Sequence, residues 1–251
     1  MSPKKHFGQN FLVNMGVAPK MLAAAELSKT DTVLEVGPGL GAITRELGLA
    51  AHRVVAVERD RELAKTLREE FSGSSNVEIV EEDMLKASLG KKGLNLKKGY
   101  KVVANLPFAI PAPLIRKFLE DDNPPALLVL LVQKEVAQRI CARPPDMNLL
   151  AASVQFYCQP RLVSVIKKGV FWPQPKVDAA ILRLTPFGKK LGVAPAAYFQ
   201  VMKAGFLHPR KQLMNNLHEG LDLDKDEVGK LLAPCGISPA QRAETLSVSD
   251  W

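Results

Sequence analysis

Five short runs of β-forming residues recur between Thr32 and Val132, and their alternation with helical stretches constrains the fold more than any other feature. The runs are Val33-Leu34-Glu35-Val36, Val54-Val55-Ala56-Val57, Val77-Glu78-Ile79-Val80, Lys101-Val102-Val103-Ala104 and residues 126–132. Stretches of helical composition, 42–51 and 61–71, separate the first three. Strands spaced by helices build βαβ units and a parallel sheet. Two later runs, 162–166 and 180–184, flank Phe171-Trp172-Pro173-Gln174-Pro175 and read as a final pair closing one edge of the sheet. An amphipathic helix is expected over 17–27. Beyond Leu184 the pattern turns helical, over 196–207, 210–219, 225–232 and 239–245. With Thr185-Pro186-Phe187-Gly188 as a hinge, an α/β domain over 1–185 and a small all-helical domain over 186–251 are expected.

Composition narrows the class. A chain of 251 residues that is 47% hydrophobic can build a core, which excludes intrinsic disorder. The longest apolar run, 126–132, is too short to span a bilayer, and no signal-peptide apolar region follows Lys4 and Lys5. A cytoplasmic, non-membrane protein is expected. Cys141, Cys158 and Cys235 are scattered, so neither a disulfide framework nor a zinc site is expected. The net charge of +8 favours a polyanionic partner. Residues 86–101 hold six lysines and no acid, which suits either RNA contact or a solvated loop.

A glycine-rich turn, Gly37-Pro38-Gly39-Leu40-Gly41-Ala42, joins the first strand to the first helix of the alternating region. Glycines there let the backbone turn sharply and approach a ligand at a helix N-terminus. Glu58 ends the next strand, placed to accept from ribose hydroxyls, and Glu81-Glu82-Asp83 ends the third, placed to accept from an adenine amine. The combination points to an adenosine-containing cofactor and leaves a nicotinamide enzyme open.

The fourth strand ends in Asn105-Leu106-Pro107-Phe108. An adenine N6 amine is a poor nucleophile because its lone pair is delocalised into the ring. The Asn105 amide oxygen and the Leu106 carbonyl can accept both N6 hydrogens and free that lone pair for attack on an activated methyl. Pro107 fixes the turn, and Phe108 offers a flat face to the base. The reading that emerges is amine methylation.

These stretches, with His6-Phe7-Gly8-Gln9-Asn10-Phe11-Leu12 and Phe171-x-Pro173-x-Pro175-Lys176-Val177-Asp178, resemble the small-subunit ribosomal RNA adenine N6,N6-dimethyltransferases. The resemblance spans nearly the whole chain. It implies a Rossmann-like methyltransferase sheet using S-adenosylmethionine, with a helical C-terminal domain that contacts RNA. It puts Gln9, Asn10, Leu12 and Gly39 near the cofactor, Gly37 beside its amino-acid end, Glu58 on the ribose, Asp83 on the adenine and Asn105 at both the cofactor and the target amine. Phe171 would line the target-base pocket opposite Phe108, where the family usually has tyrosine. Lys91, Lys92, Lys97, Lys98, Arg210 and Lys211 are the candidate phosphate contacts. The implied partner is ribosomal RNA within a small-subunit particle, and the chain is expected to act as a monomer. Alternatives are a large-subunit resistance methylase of the same chemistry and an RNA-binding assembly factor on a methyltransferase scaffold.

Overall fold

The computed structural model describes residues 9–14, 16–90, 92–107, 110–187 and 192–251. They divide into two compact units, one of residues up to Ala137 plus Gln159–Pro186, the other of Gln138–Cys158 plus Phe187–Trp251.

The first unit is built on a seven-stranded sheet. Its strands are β2 (Thr32–Val36), β3 (Arg53–Glu58), β4 (Val77–Glu81), β5 (Lys101–Asn105), β6 (Leu127–Gln133), β7 (Cys158–Ile166) and β9 (Ala179–Pro186), in the order β4-β3-β2-β5-β6-β9-β7. The pairs from β4 through β6 are parallel. β9 runs antiparallel beside β6 and lies between it and β7. Successive residues of β2, β3 and β6 are equally inaccessible, so the sheet is covered on both faces and its inner strands read as continuous apolar runs. Helices α1 (Val17–Ala25) and α2 (Ala42–Ala50) cover the face that carries Val33, Val54, Val103 and Val129. Helix α3 (Arg61–Glu70) packs against β3 and β4, and Asp60 caps it by accepting the Glu62 amide at 3.0 Å. Helix α4 (Pro111–Glu120) carries both prolines in its first turn, where backbone amides have no helical partner to lose. A separate ladder of β1 (Phe11–Leu12) and β8 (Phe171–Trp172) pairs antiparallel.

The second unit is helical, and besides Phe187–Trp251 it takes in Gln138–Cys158. Helices α5 (Lys134–Ile140) and α6 (Leu149–Gln155) follow β6. Ala151, Ala152 and Phe156, at α6 and its end, pack on Tyr198 and Met202 of α7 (Pro195–Gly205), which draws 138–158 out of the α/β unit. Helices α8 (Leu213–Leu221) and α9 (Lys225–Leu232) bury Leu213, Leu217, Val228 and Leu232 together. The helix expected over 239–245 is absent. Only a 3-10 turn forms at Ala243–Thr245, after a Ser238–Gln241 backbone turn. Among the described residues no helix is long and apolar enough to cross a membrane.

Candidate active site

The carboxyl ends of β2, β3, β4 and β5 surround one cavity, and the residues singled out in the sequence converge on it. Gln9, Asn10, Leu12, Gly37, Gly39, Glu58, Asp83, Asn105, Leu106 and Pro107 all line it. Gly37, Gly39 and Gly41 take left-handed backbone with φ of 66°, 60° and 75°, which side chains strain to adopt. A Cβ on Gly39 would also stand 3.0 Å from the Phe11 ring. The turn is therefore built for close approach of backbone to whatever the cavity holds.

Glu58 is 7% exposed and each of its oxygens holds a backbone donor. Oε1 accepts from the Asp60 amide at 2.8 Å, and Oε2 accepts from the Gly39 amide at 3.2 Å. Burial raises its pKa above the usual carboxylate value, against these hydrogen bonds. Asp83 lies just past β4. Its Oδ1 accepts the Leu85 amide at 3.0 Å, and Arg59 Nε stands 3.6 Å from Oδ2. Asn105 ends β5 and donates from Nδ2 to the Asn10 carbonyl at 3.1 Å. That contact sets the amide's orientation and leaves Oδ1 as its accepting end.

Several residues of the site were not singled out in the sequence. Phe11, Leu40, Met84, Leu85 and Ile110 supply apolar wall. Glu35, which does not line the cavity, lies in β2 beside the lining residue Val36 and is 1% exposed. Thr44 Oγ1 donates to its Oε2 at 2.7 Å, and burial, aided by the nearby Glu58 charge, pushes its pKa up to about 8. A charged residue inside an otherwise apolar central strand was the available signal.

Other candidate residues lie apart from this cavity. Phe171 is 3% exposed and lies in the core with Leu12, not on the cavity. The β1–β8 register pairs Leu12 with Phe171 and Phe11 with Trp172, and a strand sends successive side chains to opposite faces, so Phe171 turns inward. Phe108 and Lys91 fall outside the described residues. Lys92, Lys97 and Lys98 are exposed but are not brought to the site. Lys97 and Lys98 precede the first residue of β5, and Asn95 O accepts from Arg53 at the start of β3. That is the opposite end of the strands, about 16 Å away for a five-residue strand. The same loop is anchored by buried Leu89, Leu94 and Leu96. Arg210 and Lys211 are exposed in the second unit, ahead of α8 rather than inside it, and Lys211 pairs with Glu219 at 3.1 Å.

The cavity matches what S-adenosylmethionine requires: a backbone turn open to close approach, a buried acid for hydroxyls, a second acid beyond it and apolar walls for a purine. Comparison with known proteins agrees. The family model described as ribosomal RNA adenine dimethylase matches residues 1–251. Ribosomal RNA small subunit methyltransferase A of Dehalococcoides mccartyi (strain CBDB1) is 46% identical over 253 residues, covering 100% of this chain and 87% of that protein. Among solved structures, a dimethyladenosine transferase from Plasmodium falciparum is 25% identical with a TM-score of 0.83, covering 96% of this chain and 94% of that one. The 23S rRNA methyltransferase ErmE is 26% identical with a TM-score of 0.78, covering 96% of each chain.

Proposed function

The chain belongs to the ribosomal RNA adenine dimethylase family, and we propose that it dimethylates the N6 amine of adenines in small-subunit ribosomal RNA with the cavity above β2 to β5 as its active site. S-Adenosylmethionine is the cofactor and, when bound, supplies a methyl group made electrophilic by its sulfonium sulfur. Small-subunit RNA is the substrate favoured over large-subunit RNA, since the small-subunit relative shares 46% identity and the 23S enzyme 26%.

The roles follow from the contacts. Gly37 and Gly39 hold the amino-acid end of the cofactor. Glu58 accepts from ribose hydroxyls with the capacity its oxygens retain beside the backbone donors Asp60, Gly39 and Arg59. Asp83 accepts from the cofactor's adenine amine, with Met84, Leu85 and Ile110 against the ring. Gln9, Asn10 and Leu12 close the remaining wall. Asn105 Oδ1 and the Leu106 carbonyl accept the two N6 hydrogens of the target adenine, which localises the nitrogen lone pair toward the methyl. Phe108 stacks on that base by its position in the motif. Arg210 and Lys211, in the helical unit, contact RNA phosphates. The protein works in the cytoplasm, as a monomer, on a small-subunit particle.

The observation that carries this reading is Asn105, held by Asn10 on the wall of the cavity that also contains the glycine turn, Glu58 and Asp83. The test is incubation with methyl-labelled S-adenosylmethionine and separated ribosomal subunits, followed by mapping of the labelled base. Label on N6-dimethyladenine of the small subunit is expected. Label on the large subunit, or on another atom, overturns the reading.

A further inference from the structure

The register that turns Phe171 into the core turns the next residue out. Phe11 and Trp172 are directly paired across β1 and β8, on the face opposite Leu12 and Phe171. Phe11 is 6% exposed, lines the cavity and lies against the glycine turn. Trp172 stacks on it with ring centroids 6.3 Å apart and planes 23° from parallel. Yet Trp172 remains 48% exposed after packing one side on Phe11. It does not line the cavity itself, so the indole stands at the rim. The backbone beneath it is tied to the chemistry, because Asn10, next to Phe11, holds the amide of Asn105.

We propose that Trp172 is a stacking subsite for an unpaired RNA base that flanks the target adenine, a reading that rests on the function proposed above. Exposed indole is an expensive surface to leave in water, and its flat face suits any nucleobase because every base has a π-face. Phosphates accompany the base. Exposed Lys167, Lys168 and Lys176 lie within five residues of Trp172, and of these Lys167 is paired with Asp178 at 3.2 Å. An aromatic platform with exposed lysines a few residues away along the chain is a combination that single-stranded nucleic acid can use. Extruding the target adenine breaks its stacking with a neighbour, and Trp172 would take the adenine's place against the neighbour left behind.

Trp172 and Trp251 are the two tryptophans of the chain, so fluorescence of the full protein reports the proposed contact directly. In Trp251→Phe protein, titration with a single-stranded oligoadenylate should quench the remaining Trp172 emission. On unmethylated small-subunit particles, Trp172→Ala should raise KM about tenfold and leave kcat within about twofold, and Trp172→Phe should restore most of the loss. S-Adenosylmethionine affinity should not change. Absence of quenching together with an unchanged KM overturns the proposal. A fall in kcat or cofactor affinity without a rise in KM also overturns it, because that would make Trp172 a packing residue for Phe11. Failure of wild-type protein to methylate the particles would strike the proposed function instead, and the quenching experiment would still decide for or against the stacking subsite.

Discussion

Glu58 Oε2 accepts the backbone amide of Gly39 at 3.2 Å, so the acid proposed for a ribose and the turn proposed for the amino-acid end of the same ligand form one unit. Oε1 is engaged in the same way by Asp60, the cap of α3. A change at Glu58 therefore acts on two parts of the cavity together.

Glu58→Ala should weaken S-adenosylmethionine binding by about 1–3 kcal/mol for each buried donor left unpaired. Glu58→Gln should be nearly as harmful, although it is isosteric, because its NH2 group would face either the Gly39 or the Asp60 amide. Calorimetric titration of both variants checks this. Wild-type affinity in Glu58→Gln would mean that the carboxylate's two backbone contacts do not hold the turn.

Asn105→Ala should lower kcat about 10²–10³-fold, the usual effect of removing one transition-state hydrogen bond. Cofactor affinity should stay close to wild type, since the glycine turn, Glu58 and Asp83 remain. Single-turnover methyl transfer measured beside cofactor binding separates the two. Full activity in this variant would remove Asn105 from the reaction.

Glu35 makes stability depend on pH. Its pKa rises from an ordinary 4.5 to about 8 in the folded chain. Below 4.5 folded and unfolded chains both carry the proton and nothing is lost. Between 4.5 and 8 the unfolded chain releases it while the folded chain keeps it, so stability falls as pH rises and the loss levels off once the folded chain too has released its proton, above 8. The total is on the order of a few kcal/mol. Glu35→Gln keeps an acceptor for Thr44 and removes the titration. Its melting temperature should exceed that of wild type by more at about pH 8 than at about pH 5, and parallel pH profiles would contradict the assignment.

The basic side chains should separate by position. Replacing Lys97 and Lys98 with glutamine should leave the salt dependence of RNA binding unchanged, because they precede β5 at the far end of the strands. Replacing Arg210 and Lys211 should reduce the slope of log affinity against log salt by about 0.7 for each phosphate no longer neutralised. Binding isotherms across a salt series measure both. The reverse pattern would move the RNA surface to the lysine loop.

Most of the cofactor half of the site was legible because its signals are local. Gly37, Glu58, Asp83 and Asn105 each sit where a short apolar run ends, and a parallel sheet gathers those ends. That Phe171 faces the core could not be read from the sequence, because its direction depends on pairing with Leu12, far away in sequence, and a two-residue strand has no periodicity to show. The helix of 111–120 was hidden by Pro111 and Pro113, which suit a first turn as well as a loop. The allegiance of 138–158 was equally hidden, since Ala151 and Phe156 state that something covers them but not that Tyr198 does. Buried Asn216 belongs with these. It holds the Gly205 and His208 carbonyls at 2.7 and 3.0 Å, contacts that no helical pattern announces.

The strand order has a last consequence. Chain progression runs outward in one direction through β2, β3 and β4, then resumes on the other side with β5, β6 and β9. The reversal falls where Leu34 pairs with Val102, and a crevice opens at such a topological switch point. The cavity's two acids, Glu58 and Asp83, therefore come from one wing and Asn105 from the other. The two candidate acids and the candidate amide thus ride on different strands, although Ile110 beyond β5 faces the same cavity as Glu58 and Asp83, so neither wing can shift without reshaping the space they share.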